Sequence, residues 1–127
     1  MGSFIFPKSK KLRSNEQFRR VFKNRVRASD TLLLVYTMPN GLDIARLGIS
    51  VGKACGNAVT RNRVKRLIRE AFRLNPGRIP VGFDYVVMAN PAIKDNLEGP
   101  VKKLKLKDIE KSLISLINRL NKQKTIC

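Results

Sequence analysis

Residues 56–73 combine the apolar period of an α-helix with a density of positive charge that leaves only one side of the segment suited to burial. The apolar side chains recur at the spacing of one helix face, at Val64, Leu67, Ile68 and Ala71. A helix turns about 100° per residue, so four side chains on the opposite side lie within an arc of roughly 60°: Asn62, Arg66, Arg69 and Arg73. The segment predicts a helix that packs on a core and presents a cationic strip, with charges repeating along it as they do along a polyanion.

The charge balance of the whole chain indicates the same class of partner. Its 127 residues include 27 Lys and Arg against 9 Asp and Glu, which gives a formal net charge of +18. Because such an excess repels itself in the folded state, a partner should supply compensating negative charge, and nucleic acid is the commonest such partner. An anionic membrane is the weaker alternative, since no apolar run approaches the roughly 18–20 residues of a spanning helix.

The ends of the chain and its cysteines bear on the compartment. The N-terminus places its apolar residues, 4–6, before its lysines, which is the reverse of a secretory signal. The two cysteines, Cys55 and Cys127, are too few for a disulfide framework and fit a reducing compartment. We therefore expect a cytoplasmic protein without a membrane segment.

The composition disfavours bond-breaking by the chain's own side chains. There is no histidine, which removes schemes that use it as base, nucleophile activator or metal ligand. The carboxylates are scattered singly apart from Asp108 and Glu110, whereas a two-metal nuclease needs several that converge. A binding protein with no catalytic residues and no metal site of its own is favoured over an autonomous nuclease.

Local patterns predict a single domain over 1–127. It consists of a basic arm over 1–13, a globular core over 14–120 and a frayed tail over 121–127. Ser14 followed by Gln17 is a capping-box pattern, and it predicts a short first helix. Further along, Asn57 is suited to be the N-cap of the basic helix, which the turn residues 75–77 end.

The remaining elements complete an α+β pattern. They are a first helix over 14–23, strands over 24–29, 31–38, 44–52 and 83–89, a loop over 90–106, and a last helix from Asp108. The order α-β-β-β-α-β-α predicts a small two-layer sandwich, with three helices packed on one four-stranded sheet.

The turn signal at residues 39–41 predicts that the strands 31–38 and 44–52 form a hairpin. One face of the later strand has small residues around a single arginine, at Arg46, Gly48, Ser50 and Gly52. Small side chains project little from the sheet, so another chain can come close to the backbone on this face. Either a helix packs there or a ligand strand binds there. The pattern leaves both interpretations open.

Residues 48–72, GISVGKACGNAVTRNRVKRLIREAF, resemble the signature of the bacterial ribonuclease P protein subunit. The spacing upstream agrees, at Leu12, Asn15, Phe18, Val21 and Phe22. So do residues 35–37, 84–87 and 111–113, and the resemblance extends from about Leu12 to about Leu120.

This resemblance implies a function and one unusual feature of the fold. In that family the RNA subunit is the catalyst, and the protein assists it in cutting the 5′ leader from precursor tRNA. The implied partners are ribonuclease P RNA and precursor tRNA, and the implied cofactor is Mg²⁺, held mainly by the RNA. The implied fold contains a left-handed β-α-β crossover, although general handedness rules favour a right-handed one. We expect the free protein to be a monomer.

The resemblance also implies two sets of site residues. The set that would face the catalytic RNA comprises Lys53, Arg61, Asn62, Arg63, Lys65, Arg66, Arg69 and Arg73. The set that would line a cleft for the single-stranded leader comprises Phe18, Phe22, Tyr36, Arg46 and Ser50. Many family members carry Ser-Lys-Lys where this chain has Gly52-Lys53-Ala54, so one cation near the basic helix is missing here.

Structural explanations compete with these assignments. Phe18 and Phe22 are four residues apart on a helix, which is the usual spacing of core aromatic residues. We nevertheless expect these two side chains to be partly exposed rather than fully buried. A basic helix face can simply be solvated, but such faces normally mix signs, and here only Glu70 interrupts the cations. The lysine cluster 102–107 is interpreted as a flexible basic loop. The alternative function is a ribosomal or general RNA-binding protein with no role in cleavage.

Overall fold

A computed structural model describes residues 11–12, 14–93 and 105–125. In this part of the chain the helices are α1 (Asn15–Asn24), α2 (Ala58–Arg73) and α3 (Leu106–Thr125). The strands are β1 (Val26–Ser29), β2 (Leu33–Pro39), β3 (Arg46–Ser50) and β4 (Phe83–Ala89). The element order predicted from the sequence is confirmed, and it is that of an α+β fold with one mixed sheet.

The sheet has the order β1-β2-β4-β3, so the predicted hairpin between the second and third strands is wrong. β4 lies between them, antiparallel to β2 and parallel to β3. The physical reason is burial: β4 has apolar residues on both faces and gains most from a central position, whereas β3 has one low, polar face that suits an edge. α2 makes the long connection that a parallel pair requires. The left-handed sense of this crossover stays a prediction.

Local capping fixes where the first two helices begin. The Ser14 hydroxyl accepts from the Gln17 N–H at 3.1 Å, and the Gln17 side chain accepts from the Ser14 N–H at the same distance, as the capping-box pattern predicts. At α2, the Asn57 side chain accepts from the Thr60 N–H at 2.9 Å. α1 ends at Asn24, and its C-cap, Arg25, has a left-handed φ of 59°.

The helices lie on both faces of the sheet. α2 and α3 cover one face and close the main core, which contains Val64, Ile68, Ala71, Phe72, Ile109, Leu113, Leu116, Ile117 and Leu120. α1 covers part of the other face over a smaller cluster of Leu12, Val21 and Val86. Phe72 and Tyr85 are buried, and Phe83 packs against the main core.

Side-chain hydrogen bonds hold α3 in place. The Ser112 hydroxyl donates to Asp30 at 2.6 Å, and the Asn75 amide donates to Glu110 at 2.9 Å. The helix begins at Leu106 and continues to Thr125, past the point where the sequence predicts the tail. Most of the predicted basic arm, and residues 102–104 of the lysine cluster, lie outside the described residues.

Candidate nucleic-acid interface

The basic strip, defined as residues 61–63, 65, 66, 69 and 73 of α2, is held outward by the apolar side of the same helix. Val64, Ile68 and Ala71 are fully buried, which fixes the rotation of α2. As a result Asn62, Arg63, Arg66 and Arg69 are exposed, while Arg61, Lys65 and Arg73 are half-buried. Lys53, in the short 3-10 turn before α2, is exposed as well. The strip therefore presents charge to solvent along the helix.

The chain's own acids neutralise little of this charge. Glu70 pairs with Arg73 at 2.7 Å, and this hydrogen bond lowers the pKa of the Glu70 carboxyl below its ordinary value. Arg66 and Arg69 form no ion pair with any residue that the structure describes. The Arg61 Nε atom is buried without a hydrogen-bond partner among those residues. The strip keeps most of its positive potential for an external anion.

The aromatic cleft, defined by Phe18, Phe22 and Tyr36, lies on the other face of the sheet. The Phe22 and Tyr36 rings meet edge to face, with centroids 4.9 Å apart at 87°. All three side chains are half-buried, as expected for Phe18 and Phe22. Phe18 sits directly over Gly48, where an added Cβ would be 2.7 Å from its Cζ atom. The low face of β3 thus receives a helix side chain, which is one of the two interpretations left open.

The other two residues proposed to bind the leader, Arg46 and Ser50, lie on β3 and are not among the three aromatic residues that define the cleft. Arg46 binds the buried Asp84 through two hydrogen bonds of 2.7 Å, from Nε and Nη2. The hydrogen bonds to Asp84 raise the pKa of the Arg46 guanidinium. The guanidinium group is therefore occupied by a buried carboxylate of the protein itself. Ser50 is half-buried at the end of β3 and lies opposite Met88 in the sheet register.

Sequence reasoning missed Arg27, which lies opposite Tyr36 in the pairing of β1 with β2. Its Nη1 atom donates to the Tyr36 hydroxyl at 3.3 Å. Beside it, a groove of about 530 Å³ has walls that include Leu34, Met88 and Arg119. Correct pairing of β1 with β2 would have been the signal, because it places a cation next to the predicted tyrosine.

The basic strip and the aromatic cleft meet at the edge of the sheet. A cavity of about 230 Å³ beside β3 is lined by Lys65 and Arg69 from the strip and by Phe18 from the cleft. Lys11, joined to Leu47 by a short parallel bridge, adds a third cation. This cavity therefore joins three cations to the Phe18 ring of the cleft.

Comparison with known proteins agrees with this architecture. The family model described as Ribonuclease P matches residues 6–121, which include both the strip and the cleft. The chain belongs to the ribonuclease P protein family. It is 40% identical to the ribonuclease P protein component of Clostridioides difficile (strain 630) over 90% of this chain and 94% of that one.

Solved structures of ribonuclease P proteins share the fold. The Thermotoga maritima protein superposes with a TM-score of 0.77 at 33% identity, over 86% of this chain and 96% of that one. The Staphylococcus aureus protein gives a TM-score of 0.74 at 34% identity, over 88% and 95% of the two chains. The resemblance read from residues 48–72 is thus confirmed at the level of family and fold. In the described residues, no helix is long and apolar enough to cross a membrane.

Proposed function

We propose that this ribonuclease P protein docks on the catalytic RNA through its basic strip and holds the 5′ leader of precursor tRNA in its aromatic cleft. The observation that carries the proposal is the cavity in which Lys65 and Arg69 share walls with Phe18. A leader that leaves the cleavage site on the RNA would pass from the cations to the Phe18 ring within this one cavity. Such a subunit works in the bacterial cytoplasm, where precursor tRNA is processed.

The strip suits the backbone of a folded RNA. Its arginines offer several donors in a planar fork, the geometry that binds phosphate oxygens in pairs. Because the buried Val64 and Ile68 anchor the helix, its backbone is already ordered before Arg66 and Arg69 bind. Asn62, exposed among the cations, can add a hydrogen bond to phosphate or ribose.

The cleft suits an unpaired strand of varied sequence. Bases stack on aromatic side chains with roughly 1–3 kcal/mol each, and stacking tolerates any base. Half-buried rings supported from behind by Val21 and Val86 keep a fixed orientation for such stacking. Arg27, hydrogen-bonded to the Tyr36 hydroxyl, brings a positive charge to the rim where a leader phosphate would lie.

Cleavage is assigned to the RNA subunit. Among the residues that the structure describes, no three His, Cys, Asp or Glu side chains come together to hold a metal ion. These residues do not fit a protein-held Mg²⁺, so in this proposal the RNA binds the ion. The protein's contribution is then to orient the RNA and to raise affinity for substrates that carry a leader.

The test uses the protein reconstituted with ribonuclease P RNA. We expect the complex to bind precursor tRNA more tightly than mature tRNA and to release the leader, and the protein alone to cleave neither. Equal binding of the two tRNAs would contradict the cleft assignment and favour a general RNA-binding protein. Cleavage by RNA-free protein would contradict catalysis by the RNA.

A further inference from the structure

A second basic surface lies on the outer side of α3. A groove of about 700 Å³ runs along this helix, lined by Asn75, Arg78, Lys107, Glu110, Lys111, Ile114, Ser115, Asn118 and Arg119. At 1.5 Å per residue, the helical part of this lining extends about 18 Å. None of these residues belongs to the basic strip or to the aromatic cleft.

The acids near the groove are already used by the protein. Glu110 accepts a hydrogen bond from the Asn75 amide at 2.9 Å, and Asp108 accepts from the Lys105 N–H at 2.8 Å at the start of α3. Lys107 and Lys111, one helical turn apart, form no ion pair with any described residue. Four cations and one carboxylate, Glu110, line the groove among the described residues, so the groove keeps a positive potential.

The lining indicates which part of a nucleic acid the groove suits. The described residues that line it are cations and polar groups, Ser115 and Asn118 among them, around the half-buried Ile114, and none of them is aromatic. Without a stacking surface it offers nothing for unpaired bases, whereas hydroxyl and amide groups beside cations match phosphate oxygens and ribose hydroxyls. Backbone contact with folded RNA is the chemistry that remains.

The position of the groove distinguishes the two RNA partners. Within the helical layer, α2 packs over β3 and α3 packs over β1 and β2. Lys65 and Arg69 of the strip line the cavity on the β3 side. The groove and the strip are therefore on opposite flanks of one helical layer, and the aromatic cleft lies on the far face of the sheet. The α3 groove approaches the cleft at Arg119, which also lines the groove beside Arg27, but Lys107 and Lys111 lie about 12–18 Å away along α3. An RNA that spans the helical layer reaches these two lysines, whereas a leader held in the cleft does not.

We propose that the α3 groove is a second docking surface for the catalytic RNA, which it contacts through the phosphate backbone. This inference rests on the proposed function, because the same RNA occupies the strip. It assigns to Lys107 and Lys111 a role in anchoring the RNA and none in holding the leader.

The test titrates ribonuclease P RNA with the full chain at several salt concentrations. Wild type is compared with a Lys107→Gln, Lys111→Gln variant and with a matched control, Arg19→Gln, Lys23→Gln, which removes two exposed charges from α1. Each lost phosphate contact should reduce the slope of log affinity against log salt by about 0.7–0.9. Two lost contacts correspond to roughly 25- to 60-fold weaker binding at 0.1 M salt relative to 1 M.

We expect this loss in the α3 variant, a smaller one in the control, and an unchanged preference for precursor over mature tRNA in both. Equal losses in the two variants, or no loss in the α3 variant, would overturn the docking surface. A reduced precursor preference in the α3 variant would assign the groove to the leader instead, which also overturns it. If wild type itself fails to bind the RNA, the proposed function has failed rather than this inference.

Discussion

Arg46 is one of the residues that the family resemblance assigns to the leader cleft, but the structure pairs it with Asp84. Breaking this ion pair tests whether Arg46 stabilises the fold or binds the leader. Asp84 is 1% exposed and receives both Arg46 hydrogen bonds, together with one of 2.9 Å from the Asn40 amide. Replacing Arg46 by Met would leave a buried carboxylate with only the amide as partner.

The expected cost follows from that burial. Removing one partner of a buried ion pair typically costs 3–5 kcal/mol of unfolding free energy, because the remaining charge is not compensated. Since Asn40 continues to donate to Asp84, we expect about 3 kcal/mol, or a fall in Tm of roughly 9–15 °C for a domain of this size. The double variant Arg46→Met, Asp84→Leu removes both charges and should regain most of this loss.

The assay is urea unfolding of wild type, both single variants and the double variant, alongside the precursor and mature tRNA affinities of the reconstituted complex. We expect strong coupling between the two positions and, in the double variant, an unchanged preference for precursor tRNA. The reasoning is refuted if Arg46→Met costs less than about 1 kcal/mol while the precursor preference disappears. Arg46 would then contact the leader, as the family resemblance implies.

Three further changes test other contacts. Gly48→Ala puts a Cβ 2.7 Å from the aromatic ring above it, so we expect a loss of about 1–3 kcal/mol in thermal melts and a weaker precursor preference. Unchanged affinity for the catalytic RNA is the control for Gly48→Ala. Glu70→Gln releases Arg73 from its ion pair, and titration with catalytic RNA should give tighter binding and a salt slope steeper by up to about 0.7–0.9. Because the folded pKa of Glu70 is lowered, the pair's small stabilisation is present above the ordinary value of 4.5 and is lost as the pH falls through the lower folded value. A slope unaffected by Glu70→Gln would contradict this account of the pair. Burial raises the pKa of the Cys55 thiol, so with Cys127 replaced by Ser we expect thiol reagents to react at pH 8 only after unfolding. Rapid native-state labelling would contradict the burial.

Elements with local signals were predictable from the sequence. The Ser14 and Asn57 caps and the apolar period of α2 each depend on residues within one or two helical turns. The strand predicted over 83–89 has the bounds of β4. These signals require no knowledge of the rest of the chain.

Strand pairing and the surroundings of the site depend on contacts between distant residues. Residues 41–44 form a bend soon after β2, but β4 then inserts between β2 and β3. The apolar residues on both faces of β4 indicate burial, but they do not report which strands it pairs with. The same register decides that Arg46 faces Asp84 and that Arg27 reaches Tyr36. The types of side chain in the strip and the cleft were therefore predictable, but their partners were not.

Two substitutions, measured against both RNA partners, test most directly the claim that one surface docks the ribozyme while another holds the leader. The measurement compares Arg66→Ala with Tyr36→Ala for affinity to ribonuclease P RNA and for the ratio of precursor to mature tRNA affinity. We expect Arg66→Ala to weaken RNA binding, lowering its salt slope by about 0.7–0.9 without changing the ratio, and Tyr36→Ala to lower only the ratio. If both variants lower both quantities in the same proportion, the strip and the cleft are not separate binding surfaces and the account is wrong.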